Sequence, residues 1–255
     1  FSLDGSCAEV HDAFRQTPGS FDRTIEVIGY ARGVGLSLQI NSTVSRYNLH
    51  DLGRLADKVG ETGAVLWSVF FLVPTGRGKV EDMISSQQHE AAFHWLYDLA
   101  QKVSFDVKTT AAEHFRRVIV QRRLAEGMAS GIQVAVAAPG FQYQDGVGRA
   151  PKGVNDGNGC CFISHIGEVC PSGFLPLVAD NVREKPLAEI YRHSPLFRDL
   201  RDTAKLKGKC GRCEYNRICG GSRARAYAVT GDYLAAEPYC VYEPPLRELL
   251  LSGVR

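Results

Sequence analysis

The chain has no apolar run near the ~20 residues needed to cross a bilayer, and it shows no signal-peptide pattern, lipidation motif or low-complexity tail. An excess of charge of one sign is lacking too. Thirty Lys and Arg stand against 28 Asp and Glu, a net charge of +2, so nothing suggests a nucleic-acid or polyanion partner. There is no internal repeat, and none of the seven histidines pairs with a cysteine or an acid at a spacing that points to a metal or a catalytic pair. An initiator Met is missing as well: Phe1-Ser2-Leu3-Asp4-Gly5 reads as a strand end running into a loop, and the expectation is the later part of a longer protein. These absences set aside membrane-spanning and nucleic-acid-binding classes. They leave a chain of 255 residues, long enough for one large domain or two smaller ones, with a reducing cytoplasm the expected setting for its cysteines.

Cysteine is what the chain does have. Its eight cysteines include the run Cys210-G-R-Cys213-E-Y-N-R-I-Cys219, followed by Cys240, a C-x2-C-x5-C-x20-C spacing. Disulfide frameworks belong mostly to small secreted domains, so length and clustering both favour a metal centre. Three close thiolates plus one that folds back suit either zinc or an iron–sulfur cluster, and spacing alone leaves both open. Gly211, Gly220 and Gly221 let backbone approach such a centre. Cys160, Cys161 and Cys170 are either a second, partial ligand set or hairpin cysteines packed as small apolar residues. Cys7 reads as a free thiol in a loop.

Before this region, strand and helix patterns alternate. Ser20 caps an expected helix over 21–32, ended by Gly33 and Gly35. Residues 36–40 read as a strand and residues from Asn48 or Asp51 to about 60 as a helix. The apolar run 65–73 reads as a strand buried on both faces, closed by Pro74-Thr75-Gly76-Arg77-Gly78. A helix over 86–102, a strand over 105–108 and a helix over 112–124 follow. The alternation implies β/α units with right-handed crossovers. Residues 127–158, rich in Gly and Ala, read as a linker; then comes a hairpin over 161–170 with a turn at Gly167, and short helices at 186–193 and from Ser194-Pro195.

Ser2 and Asp4 stand at a strand's C-terminal end, where β/α barrels carry their sites, and could hold a ribose or simply form a turn. Asn41 and Ser42 have the same standing after the next strand. Glu113, His114, Arg116 and Arg117 read as an anionic-substrate contact or, more simply, a solvated helix face. Arg223 and Arg225 could meet substrate carboxylates, tune a cluster's charge or lie on a helix surface.

Taken together, these residues resemble the radical S-adenosylmethionine enzymes with a C-terminal SPASM or twitch domain. The segments Phe1–Gly5, His11-Asp12 and Gly19–Asp22 resemble the fourth strand and following helix of that family's partial (β/α)6 barrel; Gln39–Val44 resembles the fifth strand and Phe70–Gly78 the sixth. The tail C-G-R-C-E-Y-N-R-I-C-G-G-S-R-A-R-A-Y-A-V-T-G-D is most like the branch of haem d1 and alternative haem biosynthesis enzymes and related peptide maturases. The resemblance implies an α/β fold: the C-terminal half of a partial (β/α)6 barrel over 1–126, a linker over 127–158, and a small Cys-rich α+β SPASM/twitch domain over 159–255. It implies S-adenosylmethionine contacts at Ser2, Asp4, Asn41 and Ser42, with backbone near Val73 and Pro74 by the adenine. It further implies one auxiliary [4Fe-4S] cluster on Cys210, Cys213, Cys219 and Cys240, favoured over zinc, and a 5′-deoxyadenosyl radical acting on a tetrapyrrole or peptide substrate. A flavodoxin-type reductase would donate electrons. Two departures stand out. The C-x3-C-x2-C motif for the catalytic cluster is absent, which places it upstream and leaves these residues alone inactive; and Arg223 stands where a full SPASM pattern has another Cys.

Overall fold

A parallel sheet organises the first part of the chain around the apolar run 66–71, buried at five of its six positions, while the strands beside it carry polar residues on one face. The computed structural model describes residues 1–128, 147 and 153–245; most of the expected linker, 129–146 and 148–152, lies outside the described residues. Strands β1 (Gln39–Val44), β2 (Leu66–Phe71) and β3 (Asp106–Thr110) pair in parallel in that order. The N-terminal segment adds a fourth parallel row: Ser2 bridges Asn41, with Leu3 N donating to the Asn41 carbonyl at 2.9 Å and Asn41 N to the Phe1 carbonyl at 2.7 Å. Helices α1 (Ala8–Arg15), α2 (Ser20–Gly33), α3 (Leu52–Glu61) and α4 (Ser86–Leu99) fill the connections.

The register sorts the side chains by face, since partners across a ladder point the same way and successive residues alternate. Ile40, Trp67 and Val107 share one face and are all fully buried. Trp67 meets Trp95 and Phe105 edge-on at 6.4 Å each, and Phe71 meets Phe93 edge-on at 4.9 Å. The other face presents Ser2, Asn41, Ser68 and Lys108 in one row. The sheet is thus apolar on one side and largely polar on the other.

Several boundaries differ from the sequence reading for local reasons. The helix over 8–15 was not expected; its polar composition carries one buried residue, His11, whose Nδ1 accepts from Asp4 N at 3.0 Å. Helix α2 starts at Ser20 rather than being capped by it: the cap position is Gly19, and Asp12 on α1 accepts from Gly19 N, Ser20 Oγ and Phe21 N at 2.6–2.9 Å. The cap therefore comes from the neighbouring helix, which no local pattern reveals. Strand β1 begins at Gln39, three residues later than expected, because Leu36 is exposed and only from Leu38 onward does the chain alternate into the core.

A second compact unit takes in Val73–Arg77 and the described residues 113–128 and 153–245, distinct from the unit that includes Phe1–Leu72 and Gly78–Ala112. It contains α5 (Phe115–Ala125) and an antiparallel sheet of β4 (Phe162–Ile163), β5 (Glu168–Cys170) and β6 (Asp180–Asn181). Gly167, at φ 91°, makes the β4–β5 turn that only glycine takes without strain. Helices α6 (Leu187–His193) and α7 (Pro195–Arg201) pack Ile190 and Phe197 on Val169, with Cys161 at the edge of that cluster. Short α8 (Gly208–Arg212) and α9 (Arg223–Thr230) carry the cysteine region. No helix among the described residues is long and apolar enough to cross a membrane.

Helix α4 opens with a reciprocal capping box: Gln88 N donates to Ser85 Oγ at 3.1 Å and Ser85 N to Gln88 Oε1 at 2.8 Å. Ser85→Ala should cost about 1 kcal/mol of stability, read as a lower urea midpoint at unchanged slope; no shift would show that the box is not formed in solution.

Candidate metal centre

Each cysteine of the terminal run is delivered by a different local device. Cys210 sits inside α8 and is buried, held where Gly211 lets the turn pass Leu206: a Cβ on Gly211 would lie 2.1 Å from the Leu206 carbonyl oxygen. Cys213 ends that helix in extended backbone. Cys219 is followed by Gly220 and Gly221, both near φ +68°, which fold the chain back over its sulfur. Gly221 N then donates to Cys219 Sγ at 3.3 Å. Cys240 returns on the segment after Glu237, whose own backbone N donates to Cys210 Sγ at 3.3 Å.

All four cysteines line one cavity enclosing about 370 Å³, part of it open to solvent, along with His114, Arg117, Lys209 and Tyr242. Cys160, Cys161 and Cys170 do not line it. Cys160 Sγ instead points at the carbonyls of Asn155 (3.4 Å) and Pro171 (3.8 Å), Cys161 packs on the Val169–Phe197 cluster and Cys170 is buried on β5. All eight cysteines are free thiols, so no disulfide competes for the site. Among the described residues, no three Cys, His, Asp or Glu side chains converge on one point tightly enough for a single ion.

The electrostatics of the cavity keep its thiols neutral. Burial pushes the Cys213 thiol up to about 11 and the Cys219 thiol higher still, each aggravated by the neighbouring cysteines. The Cys240 thiol is also raised by burial, against the pull of Arg117 and Lys209. Buried thiols of this kind stay protonated at neutral pH unless a cation takes their charge, and a bound metal does that outright. Two backbone amides already aimed at sulfur, a double glycine over the site and flanking cations suit a tetrathiolate metal centre. The donor set fits an iron–sulfur cluster.

The surrounding loops are pinned by side chains that sequence reading left undecided. Arg116 donates to the carbonyl of Ile218, next to Cys219, at 3.2 Å, and to that of Val154. Asn155 Nδ2 donates to the Gly221 carbonyl at 2.8 Å, and Asp156 Oδ2 accepts from Ala224 N at 2.8 Å. The group Glu113, His114, Arg116 and Arg117 is not a solvated helix face: three of the four are buried and Arg116 is half-buried. Arg223 and Arg225 are likewise buried, and Arg225 pairs with Glu237 at 3.2 Å. Charge patterns alone could not tell an exposed arginine from one packed under a loop.

In the first unit, the expected S-adenosylmethionine contacts separate by face. Ser2 and Asn41 share the polar face, Asn41 Oδ1 accepting from Gln39 Nε2 at 2.7 Å. Ser42 stands on the opposite face, buried, donating to the Leu3 carbonyl and accepting from Trp67 Nε1 at 2.9 Å. Asp4 is buried, accepts from Thr43 N at 2.6 Å and pairs with Arg15 at 2.6 Å. Ser68, Thr110 and Lys108 on the polar face had no signal in the apolar run around them; Ser68 Oγ and Thr110 Oγ1 lie 3.2 Å apart. Val73 and Pro74 fall in the second unit, Val73 buried and Pro74 half-buried.

Residues 155–214 match the family model of the SPASM iron–sulfur cluster-binding domain. An AdoMet-dependent heme synthase of Methanosarcina barkeri is 44% identical over 243 residues, covering 95% of this chain and 67% of the relative. The chain belongs to the radical S-adenosylmethionine enzymes that carry a SPASM domain. A second AdoMet-dependent heme synthase, from Nitratidesulfovibrio vulgaris, is 44% identical over 95% of the chain and 64% of the relative. The chain thus spans about two thirds of the length of these relatives. Among solved structures, Streptococcus suis SuiB superposes with a TM-score of 0.62 over 95% of this chain and 54% of its own, at 16% identity, which bears on the fold alone.

Glu113 Oε2 has no hydrogen-bond partner among the described residues, and burial, with the nearby Asp156 charge, pushes this carboxyl up to about 7. The folded chain therefore keeps a proton that the unfolded chain loses near 4.5. Stability from this group is present below that value and falls as pH rises to about 7, by roughly 3 kcal/mol. Glu113→Gln should flatten the difference between urea melts at pH 5 and pH 8; an unchanged difference would assign it to other groups.

Proposed function

We propose that the chain carries the auxiliary-cluster part of a radical S-adenosylmethionine enzyme that modifies a tetrapyrrole. The observation that carries this reading is four cysteines lining one cavity with backbone amides of Gly221 and Glu237 directed at two of their sulfurs. In the proposed arrangement Cys210, Cys213, Cys219 and Cys240 hold one auxiliary [4Fe-4S] cluster. Lys209 and Arg117 flank it, and Tyr215 and Tyr242, with ring centroids 5.5 Å apart, shield it from water. When bound, S-adenosylmethionine and its own cluster supply a 5′-deoxyadenosyl radical for hydrogen abstraction.

The polar sheet face gives the cofactor hydroxyl and amide partners at Ser2 and Asn41, while Asp4 and Ser42 hold those strands in register from behind. Backbone around Val73 and Pro74 is the proposed adenine contact. The tetrapyrrole assignment leans on the heme synthase relatives, with a peptide substrate as the less favoured choice. Arg225, spent on Glu237, is withdrawn as a substrate-carboxylate contact. A flavodoxin-type reductase is the proposed electron donor.

The test is iron and acid-labile sulfide per chain after anaerobic reconstitution, with Cys240→Ala alongside. About four of each, lost in the variant, is the expected result. Stoichiometric zinc without sulfide would leave a zinc-stabilised binding module instead. About eight iron would bring Cys160, Cys161 and Cys170 in as ligands of a second cluster.

A further inference from the structure

Arg223 is an unusual side chain: a guanidinium only 1% exposed, on the first turn of α9, with no carboxylate ion pair among the described residues. Its Nη1 donates to the carbonyls of Tyr233 (3.1 Å) and Ala235 (2.7 Å), and its Nε to that of Gly221 (3.2 Å). Its Nη2 is aimed at Cys210 Sγ, 4.0 Å away. The nearby acids are committed elsewhere: Glu237 to Arg225 at 3.2 Å and Asp232 to Lys207 at 2.6 Å. A permanently charged group held out of water needs an anion, and neutral carbonyls replace its hydration without cancelling its charge. Asp232 lies near enough to feel the Arg223 charge but gives its ion pair to Lys207, and the side chain that Nη2 faces directly is the Cys210 sulfur.

We propose that Arg223 is the counter-ion of the cysteine-bound cluster and raises its reduction potential. This rests on the cluster reading above. A fixed positive charge beside a ligand sulfur favours the state with one more electron. No proton accompanies that electron, because the guanidinium stays charged throughout. The position fits this role: α9 and the Gly220-Gly221 turn carry the arginine under Cys210, and a Cβ on Gly221 would meet Arg223 Nη2 at 2.6 Å. A glycine there leaves the guanidinium room to reach the sulfur.

The experiment is an anaerobic redox titration of the reconstituted full chain, followed by electron paramagnetic resonance, on wild type, Arg223→Gln and Arg223→Lys. Iron and sulfide are counted first on each. With four iron retained, Arg223→Gln should lower the reduced-to-oxidised ratio at fixed potential at least tenfold, ~59 mV for one electron, and Arg223→Lys should recover part of it. An unchanged midpoint in Arg223→Gln, with its cluster intact, overturns the proposal while leaving the cluster reading in place. Should that variant assemble no cluster, protein labelled with ¹⁵N-arginine in an Arg117→Lys background decides: hyperfine coupling of the reduced cluster to a guanidinium nitrogen supports the role, and its absence overturns it. Zinc without sulfide in the wild type overturns both readings together.

Discussion

One carboxylate with no access to water holds the cysteine region together. Glu237 accepts from Ser222 N and Arg225 Nη1 through one oxygen and from Tyr239 N through the other, while its own backbone N reaches Cys210 Sγ. Through these bonds the returning segment that bears Cys240 is fastened to the start of α9 and to the helix that bears Cys210. Breaking such a pair from one side leaves a buried charge uncompensated, a cost of about 3–5 kcal/mol. Twenty residues separate Cys219 from Cys240, and this fastening, with Lys209 Nζ on the Cys240 carbonyl and Arg223 Nη1 on those of Tyr233 and Ala235, returns the last thiol to the other three.

Around its sulfurs the same region sets cations against carboxylates, Glu214 and Glu113 among them, whose charge helps push the Cys213 and Cys219 thiols up. Arg117 and Lys209 line the cavity and Arg223 faces Cys210, while the nearest carboxylate of the returning segment is already paired. Buried thiols beside buried cations form an arrangement that is costly as it stands and relieved when the thiols become metal-bound thiolates. On the proposed cluster reading, folding and metal loading are coupled for that reason.

Much of this was legible in the chain. The four-cysteine spacing picked out four residues that line one cavity, and the apolar run at 65–73 announced a strand buried in a parallel sheet. What could not be read was anything decided by a distant partner. Asn41 and Ser42 look equivalent in sequence, yet the register puts them on opposite faces, and only one remains on the polar side. Asp12 caps a helix other than its own. Arg116 and Arg223 look like surface charge until the loops that cover them are in place. Periodicity reports the face an element buries, not what tertiary neighbours later lay across it.

The order of the cysteines also has a consequence for synthesis. Cys210, Cys213 and Cys219 leave the ribosome before Glu237 and Cys240 do, and at ~5–20 residues per second they wait about a second or longer for the segment that bears the fourth cysteine. During that interval the nascent chain offers three accessible thiols and no closing loop. An oxidant or a stray soft metal ion meets its most vulnerable form then, rather than at any time after Glu237 has docked.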